Sequence, residues 1–539
     1  MKVKGIESAL TKNITAVLLF IFLTALLAGV PRRAVAYADD KEGDAIEKTH
    51  RDARKAIRKG KYERAVELYA RLLAKNDQDL QAMLGASFAN LKQQEYVKCY
   101  DYAASALKLD VRSSRAHALA GIALLRSGLV RAAVDELRQS LNINPKEALA
   151  IGGASEIDYF EGRTKDARAK AYYAHQLDPE EPDYIMIYAR ASSRAEDFKE
   201  AADAYELFLQ VAPESERERR DRIRGLIQFY RQLSGLRVHD ISGPSLTQVP
   251  FYLGTDRRPY IRLKVNGRDA LFVIDTGSGF TVVSMDSARR LGISEISRGG
   301  NSQGVGGTGK FEIVYGLIKS MNLGDLKVRL VPCFIRPFHG NKDRPDEERA
   351  DGFIGLSILS HFVTELDYKE SRMRLDRNFE RPTPAASVPD TTVIPFRTTQ
   401  NGLISIETEF EGSHTVNAIL DSGASSTAIS VAAVERLNMR DQIIKGQTTN
   451  VIGAAGITNN VEMLFIRNCR VADLMQSNLR ALILDFGAIN ETSGFEQSGI
   501  LGGDFLRHFR VTIDFPRTQV RFQPYTTAVT RQKVEGGRR

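Results

Sequence analysis

At 539 residues, 43% hydrophobic and 26% charged, the chain is too long for a single core and is read as several domains. Its formal net charge is +8, but the first 36 residues carry five Lys/Arg against one Glu, and the tail carries Arg531, Lys533, Arg538 and Arg539 against Glu535. The body between them is close to neutral and the chain has no tryptophan and no basic-aromatic stripe, which argues against a nucleic-acid partner. The first element is a leader. Lys2, Lys4 and Lys12 precede an uncharged run from Ile14 to Val30, and Ala34-Val35-Ala36 offers small residues for signal-peptidase cleavage, with Ala36-Tyr37-Ala38 as a second option. Residues 1–36 therefore read as a signal peptide and the protein as exported, periplasmic or secreted. The run is at the short limit for spanning a bilayer, and Arg32 and Arg33 after it leave a signal anchor as the alternative. Only an uncleaved leader would bring the chain to a membrane. Lipidation would need a cysteine just after the leader, and the first is Cys99.

A helical repeat follows. At a period of 34 residues, Ala65, Cys99, Ala133, Ala167 and Ala201 share one small position, and Ala53, Ser87, Gly121, Ser155 and Ala189 share another. Leu109, Ile143, Leu177 and Val211 fill a common apolar position, and Pro145, Pro179 and Pro213 fall soon after it. Small residues let paired helices approach, and a proline ends the second helix of a pair. The pattern resembles the tetratricopeptide repeat (TPR), with five repeats over residues 46–215, enough for a continuous shared core. Glu214 to Leu236 reads as a charged capping helix, so the solenoid spans 46–236. The resemblance implies a protein partner on the concave face; the alternative is a spacer. Cys99 sits where an alanine is usual, so packing is its default role. Arg237 to Pro250, with Gly243-Pro244, reads as a linker.

The second half is a duplication. Ile274-Asp275-Thr276-Gly277-Ser278 is answered by Leu420-Asp421-Ser422-Gly423-Ala424. Thr281-Val282-Val283-Ser284 is answered by Thr427-Ala428-Ile429-Ser430, and Gly352-Phe353-Ile354-Gly355-Leu356 by Gly499-Ile500-Leu501-Gly502-Gly503. One Asp-Thr-Gly is usually just a turn. Two in register within a repeated segment suit an enzyme that brings two carboxylates to one water.

Each copy looks like a single subunit of the retropepsin-like aspartic protease family, over residues 250–376 and 391–525. That family's site forms between two subunits, so two copies in one chain suggest an internal pseudo-dimer of mainly-β units behind the all-α solenoid. The resemblance implies an aspartic endopeptidase acting on peptide or protein, with no metal or other cofactor. Asp275 and Asp421 would be the catalytic dyad. Two close carboxylates cannot both ionise readily, so the pair holds one proton and supplies base and acid together. Thr276 and Ser422 would cross-brace the turns, and Gly277 and Gly423 would let the chain turn tightly. Ser278 stands where pepsin-like enzymes place a hydroxyl near the catalytic Asp, whereas Ala424 follows the retroviral pattern.

Flaps are assigned to the glycine-rich stretches containing Gly304, Gly306 and Gly307 in the first copy and Gly453 and Gly456 in the second, as hinge-like loops over a cleft. No Lys-Ser/Thr follows either, which argues against phosphate binding. His361 and His508 occupy equivalent apolar surroundings and read as packing residues. Cys333 and Cys469 are not at equivalent points; a bridge between them is possible in an exported protein. No set with metal-ligand spacing is present. Gly340 to Asp351 reads as an exposed loop, Arg381 to Pro389 as an extended spacer between the copies, and 526–539 as a basic tail. Two alternatives stand beside catalysis by one chain: a binding scaffold that no longer cleaves, and an active homodimer in which Asp275 pairs with its own copy.

Overall fold

The computed structural model describes residues 36–302, 311–339, 344–380, 390–412, 414–454, 456–525 and 530–531. Residues 1–35, and with them nearly all of the leader, lie outside the described residues, as do the first copy's flap glycines, the spacer at 381–389 and most of the tail. The chain divides into two compact units. One runs to Ala154 and adds Lys170–Tyr184 and Val211–Arg217; the other comprises Ser155–Ala169, Ile185–Gln210 and everything from Glu218.

Eleven described helices come first, and the repeat sets their ends. Second helices begin at Tyr62, Tyr96, Val130, Thr164 and Phe198, and first helices from Leu80 onward at Ser114, Ala148 and Pro182, each 34 residues after its equivalent. The repeated small residues Ala65, Cys99, Ala133, Ala167 and Ala201 are all fully buried. A side chain larger than these would part the helices. Ser87 Oγ donates to the Cys99 carbonyl at 2.7 Å and Ser155 Oγ to that of Ala167 at 2.8 Å. The same bond thus recurs in two repeats and satisfies the buried hydroxyl. Between the helices of each pair one residue is left-handed: Gly60, Gln94, Gly128, Gly162 and Glu196, with φ between 59° and 80°. Among the described residues no helix is long and apolar enough to cross a membrane.

Two mainly-β copies follow, each built on a nine-stranded sheet. In the first, Arg268–Ile274 pairs in parallel with Gly352–Ile354, which pairs antiparallel with Thr281–Ser284. In the second, His414–Leu420, Gly499–Leu501 and Thr427–Ser430 repeat that arrangement. The apolar runs ending at Ile274 and Leu420 are buried on both faces, as central strands with a parallel neighbour should be.

A third sheet of six strands takes three from each copy. At its centre Val363–Asp367 runs antiparallel to Phe509–Asp514, with Glu365 opposite Thr512. Arg372–Asp376 and Leu246–Pro250 extend it on one side, Gln519–Pro524 and Thr392–Pro395 on the other. One apolar core joins both copies, including Phe272, Ile274 and Phe362 with Leu420, Phe509 and Phe522. The internal pseudo-dimer is therefore built by shared strands.

Three expectations change. The segment Arg237 to Pro250 is not a free linker: Asp240–Ser242 pairs with Leu326–Arg336, and Leu246–Pro250 is an edge of the six-stranded sheet. Gly243-Pro244 marks only the turn between those strands, Gly243 having φ of 112°. The charged helix, Arg217–Leu233, is more than a cap. Ser297 Oγ donates to the Gly225 carbonyl at 2.8 Å, and the Phe229 ring stacks on Tyr315 with centroids 4.4 Å apart. Nor do the last helices stand apart from the β half. Tyr159 Oη donates to the Gln400 carbonyl at 3.0 Å, and Arg194 Nη1 to Thr398 Oγ1 at 2.9 Å, so helical and second-copy residues share one compact unit. In the basic tail, Thr530–Arg531 adds a short strand beside Leu474 and Met475.

Candidate active site

Asp275 and Asp421 each follow the last residue of a buried strand. The main-chain N–H of Asp275 donates to the Ile354 carbonyl and that of Asp421 to the Leu501 carbonyl, both at 3.0 Å. The turns then interlock. Thr276 Oγ1 donates to the Leu420 carbonyl at 2.8 Å and accepts from the Ser422 N–H at 2.9 Å. Ser422 Oγ donates to the Ile274 carbonyl at 2.8 Å and accepts from the Thr276 N–H at 3.1 Å. Each hydroxyl must donate and accept at once, which is why Thr or Ser, and no other short side chain, serves there.

The glycines serve a different purpose from the one read in the sequence. Neither Gly277 nor Gly423 has positive φ. A Cβ on Gly277 would lie 2.2 Å from the Asp421 carboxyl carbon, and one on Gly423 2.5 Å from that of Asp275. Each glycine is the clearance that admits the opposite carboxylate.

The two carboxylates are not equivalent. Asp275 Oδ1 accepts one N–H, from Gly277 at 2.9 Å. Asp421 Oδ1 accepts two, from Gly423 at 2.8 Å and Ala424 at 2.9 Å. Burial, followed by the charge and hydrogen bond of Asp421, holds Asp275 well above the ordinary carboxylate range. Burial also raises Asp421, but the Ala424 N–H, the bond from Asp275 and the Gly423 N–H oppose it. The backbone thus favours the anion more at Asp421 than at Asp275. The Ser278 hydroxyl plays no part in this: Ser278 Oγ donates to the Phe280 carbonyl at 2.8 Å. Its main-chain N–H goes to the Asp275 carbonyl at 3.3 Å, whereas the equivalent N–H of Ala424 reaches the Asp421 carboxylate. The asymmetry lies in the backbone.

With that geometry in view, residues 261–358 and 406–505 each match the family model described as aspartyl protease. The β half thus holds two tandem copies that match this model. No curated protein matches the chain. Among solved structures, a thermophilic TPR protein of Thermus thermophilus is 18% identical, covering 35% of this chain and 98% of its own, with a TM-score of 0.29. The MamA RS-1 ArsTM double mutant is also 18% identical, covering 32% of this chain and 97% of its own, with a TM-score of 0.23.

In the second aspartyl-protease unit the glycine-rich segment is a hairpin rather than the expected loop. Ile443–Gly453 pairs with Gly456–Val471 up to Gly453 opposite Gly456. Ile452 and Ile457, opposite each other, are 48% and 50% exposed, so the tip presents apolar surface. Gly304, Gly306 and Gly307 lie outside the described residues, but the strands approaching them, Ser294–Ser302 and Phe311–Leu323, pair as far as Ser302 and Phe311. Arg336 was not singled out from the sequence. Its Nη1 donates to the Ala454 carbonyl at the second hairpin's tip, at 3.1 Å. The guanidinium lies 5.1 Å from the Phe338 ring centre and 5.8 Å from that of Phe353. Burial lowers its pKa while the nearby Asp275 charge raises it. The signal was an arginine closing the apolar run 331–335; the equivalent position beside Ser430 is Leu484.

The paired histidines have diverged. His508 lines a cleft of about 500 Å³ with Arg257, Gln476, Asp504 and Arg507, whereas His361 lies 3.5 Å from Glu196. Cys333 and Cys469 are free and fully buried in strands of different sheets, so the bridge permitted by the sequence is not formed. Burial raises both thiols, Cys469 to about 12, which leaves them inert packing groups.

Proposed function

We propose that the chain is an aspartic endopeptidase whose two halves supply one carboxylate each. The observation that carries this reading is the interlocked and unequal carboxylate pair. Asp421, stabilised as the anion by two N–H groups, takes a proton from water. The water oxygen attacks the scissile carbonyl carbon while protonated Asp275 donates to the carbonyl oxygen, giving a tetrahedral diol. Collapse transfers a proton to the leaving nitrogen and breaks the C–N bond. An extended peptide under the hairpin tip would meet Ile452 and Ile457 with its side chains. The repeats then dock a protein partner or the substrate, and the leader directs export.

Both carboxyls are raised, so the activity profile is a bell displaced above the usual carboxylate range near pH ~4. Activity falls on the acid side as the pair gains its second proton and on the alkaline side as it loses its last. The test is cleavage of a mixed peptide library by the mature chain from pH ~3 to ~8. Asp275→Asn and Asp421→Asn, with folding checked by circular dichroism, should each lose about 10³-fold or more. Survival of activity in one of them would point to pairing between chains, and no cleavage by the parent protein would favour a binding scaffold.

A further inference from the structure

Glu196, His239 and His361 come from three segments that the sequence keeps far apart. Glu196 is in the turn between the helices Pro182–Arg194 and Phe198–Val211, His239 precedes the strand Asp240–Ser242, and His361 follows the short helix Leu356–Leu359. Glu196 Oε1 lies 2.8 Å from His239 Nδ1 and 3.5 Å from His361 Nε2. One ligand atom from each residue falls within 4.8 Å of the other two. The imidazole rings are 4.7 Å apart.

We propose that these three residues bind a divalent transition metal, Zn²⁺ being the best fit, and that the metal ties the last repeat turn to the first aspartyl-protease unit. Two imidazoles and a carboxylate are a borderline-soft donor set suited to Zn²⁺. Metal–ligand bonds of about 2.0–2.1 Å in tetrahedral geometry place donor atoms about 3.3 Å apart. The two observed separations bracket that value, so small side-chain adjustments admit the ion. The Glu196 side chain is 37% exposed, which leaves water to complete the coordination.

Two further observations bear on the site. The His239 side chain is only 7% exposed, so an ion on its Nδ1 would be largely shielded from water. Glu196 also occupies the left-handed position that three of the other four repeat turns give to glycine, and His239 has φ of 48°. Two of the three residues thus hold costly backbone conformations that present a ligand.

The test uses the full mature chain, stripped with a chelator and titrated with Zn²⁺ against a chromophoric competitor, and separately with Co²⁺ for its visible spectrum. The expected result is one equivalent per chain and an intense four-coordinate Co²⁺ band. Affinity should fall about 100-fold or more in Glu196→Gln and His361→Asn, both partly exposed and able to fold. His508→Asn, at the equivalent place in the second unit, should bind like the parent chain. Absence of binding at micromolar metal, or binding retained equally by all the variants, overturns the proposal.

Discussion

Asp275 and Asp421 hang from matched strands, with N–H groups on matched carbonyls and hydroxyls in a reciprocal grip. Three residues beyond each Asp the copies part company. Ala424 gives its N–H to the carboxylate of its own turn, while Ser278 gives its N–H to a carbonyl. Farther out, Arg336 stands where the second copy has Leu484, His361 faces Glu196 while His508 lines a cleft, and the helix Arg217–Leu233 backs the first copy's hairpin. The lesson concerns where duplication tolerates change. Residues that touch the other copy are fixed by reciprocity, since altering one leaves a buried partner unsatisfied. Residues facing outward meet different neighbours and can diverge.

The sharpest test of that symmetry is at the glycines. Gly277→Ala and Gly423→Ala would each drive a methyl into the opposite carboxylate, at 2.2 Å and 2.5 Å. Both should reduce kcat/KM by about 100-fold or more, since displacements of that size ruin the reacting geometry. A harmless alanine at either site would mean that the pair does not close as described. A smaller effect breaks the comparison from the asymmetric side. Arg336→Leu gives the first copy the second copy's residue and removes the bond to Ala454. A hydrogen bond from a charged group is worth about 1.5–3 kcal/mol, so kcat/KM should fall at least about tenfold, chiefly through KM, if the latch shapes the closed hairpin. Unchanged kinetics would remove Arg336 from the substrate-binding picture.

What could be read from the sequence depended on range. The 34-residue period and the paired Asp-Thr/Ser-Gly strings are local patterns, and they located the repeats and the carboxylates. The place of Leu246–Pro250 in the six-stranded sheet was hidden because it is a short edge strand beside Gly243-Pro244, and its partner strand Arg372–Asp376 lies more than a hundred residues downstream. The glycine turns were recognised for the wrong reason: clearance for a carboxylate from the other copy is invisible in one copy alone. No spacing in the sequence relates Glu196, His239 and His361, which only the tertiary fold gathers. Arg336 had no motif around it, only an uncompensated charge at the end of an apolar strand.

The smallest expected effect on turnover, and the one that isolates the helix, comes from Phe229→Ala. Phe229 is fully buried and stacks on Tyr315, within the strand Phe311–Leu323 of the first hairpin. Gly225 meets Gly299 so closely that a Cβ on Gly299 would lie 2.1 Å from the Gly225 Cα, so helix and hairpin touch along their backbones as well. Truncating a buried phenylalanine costs about 3–5 kcal/mol, and here the loss falls on one contact between an α and a β element. Amide exchange should therefore quicken in Ser294–Ser302 and Phe311–Leu323 while Ile443–Gly453 and Gly456–Val471 keep their protection. If both hairpins quicken together, the substitution has loosened the shared core and the helix is no special brace. If only the first responds, the helix Arg217–Leu233 braces one hairpin and not its counterpart.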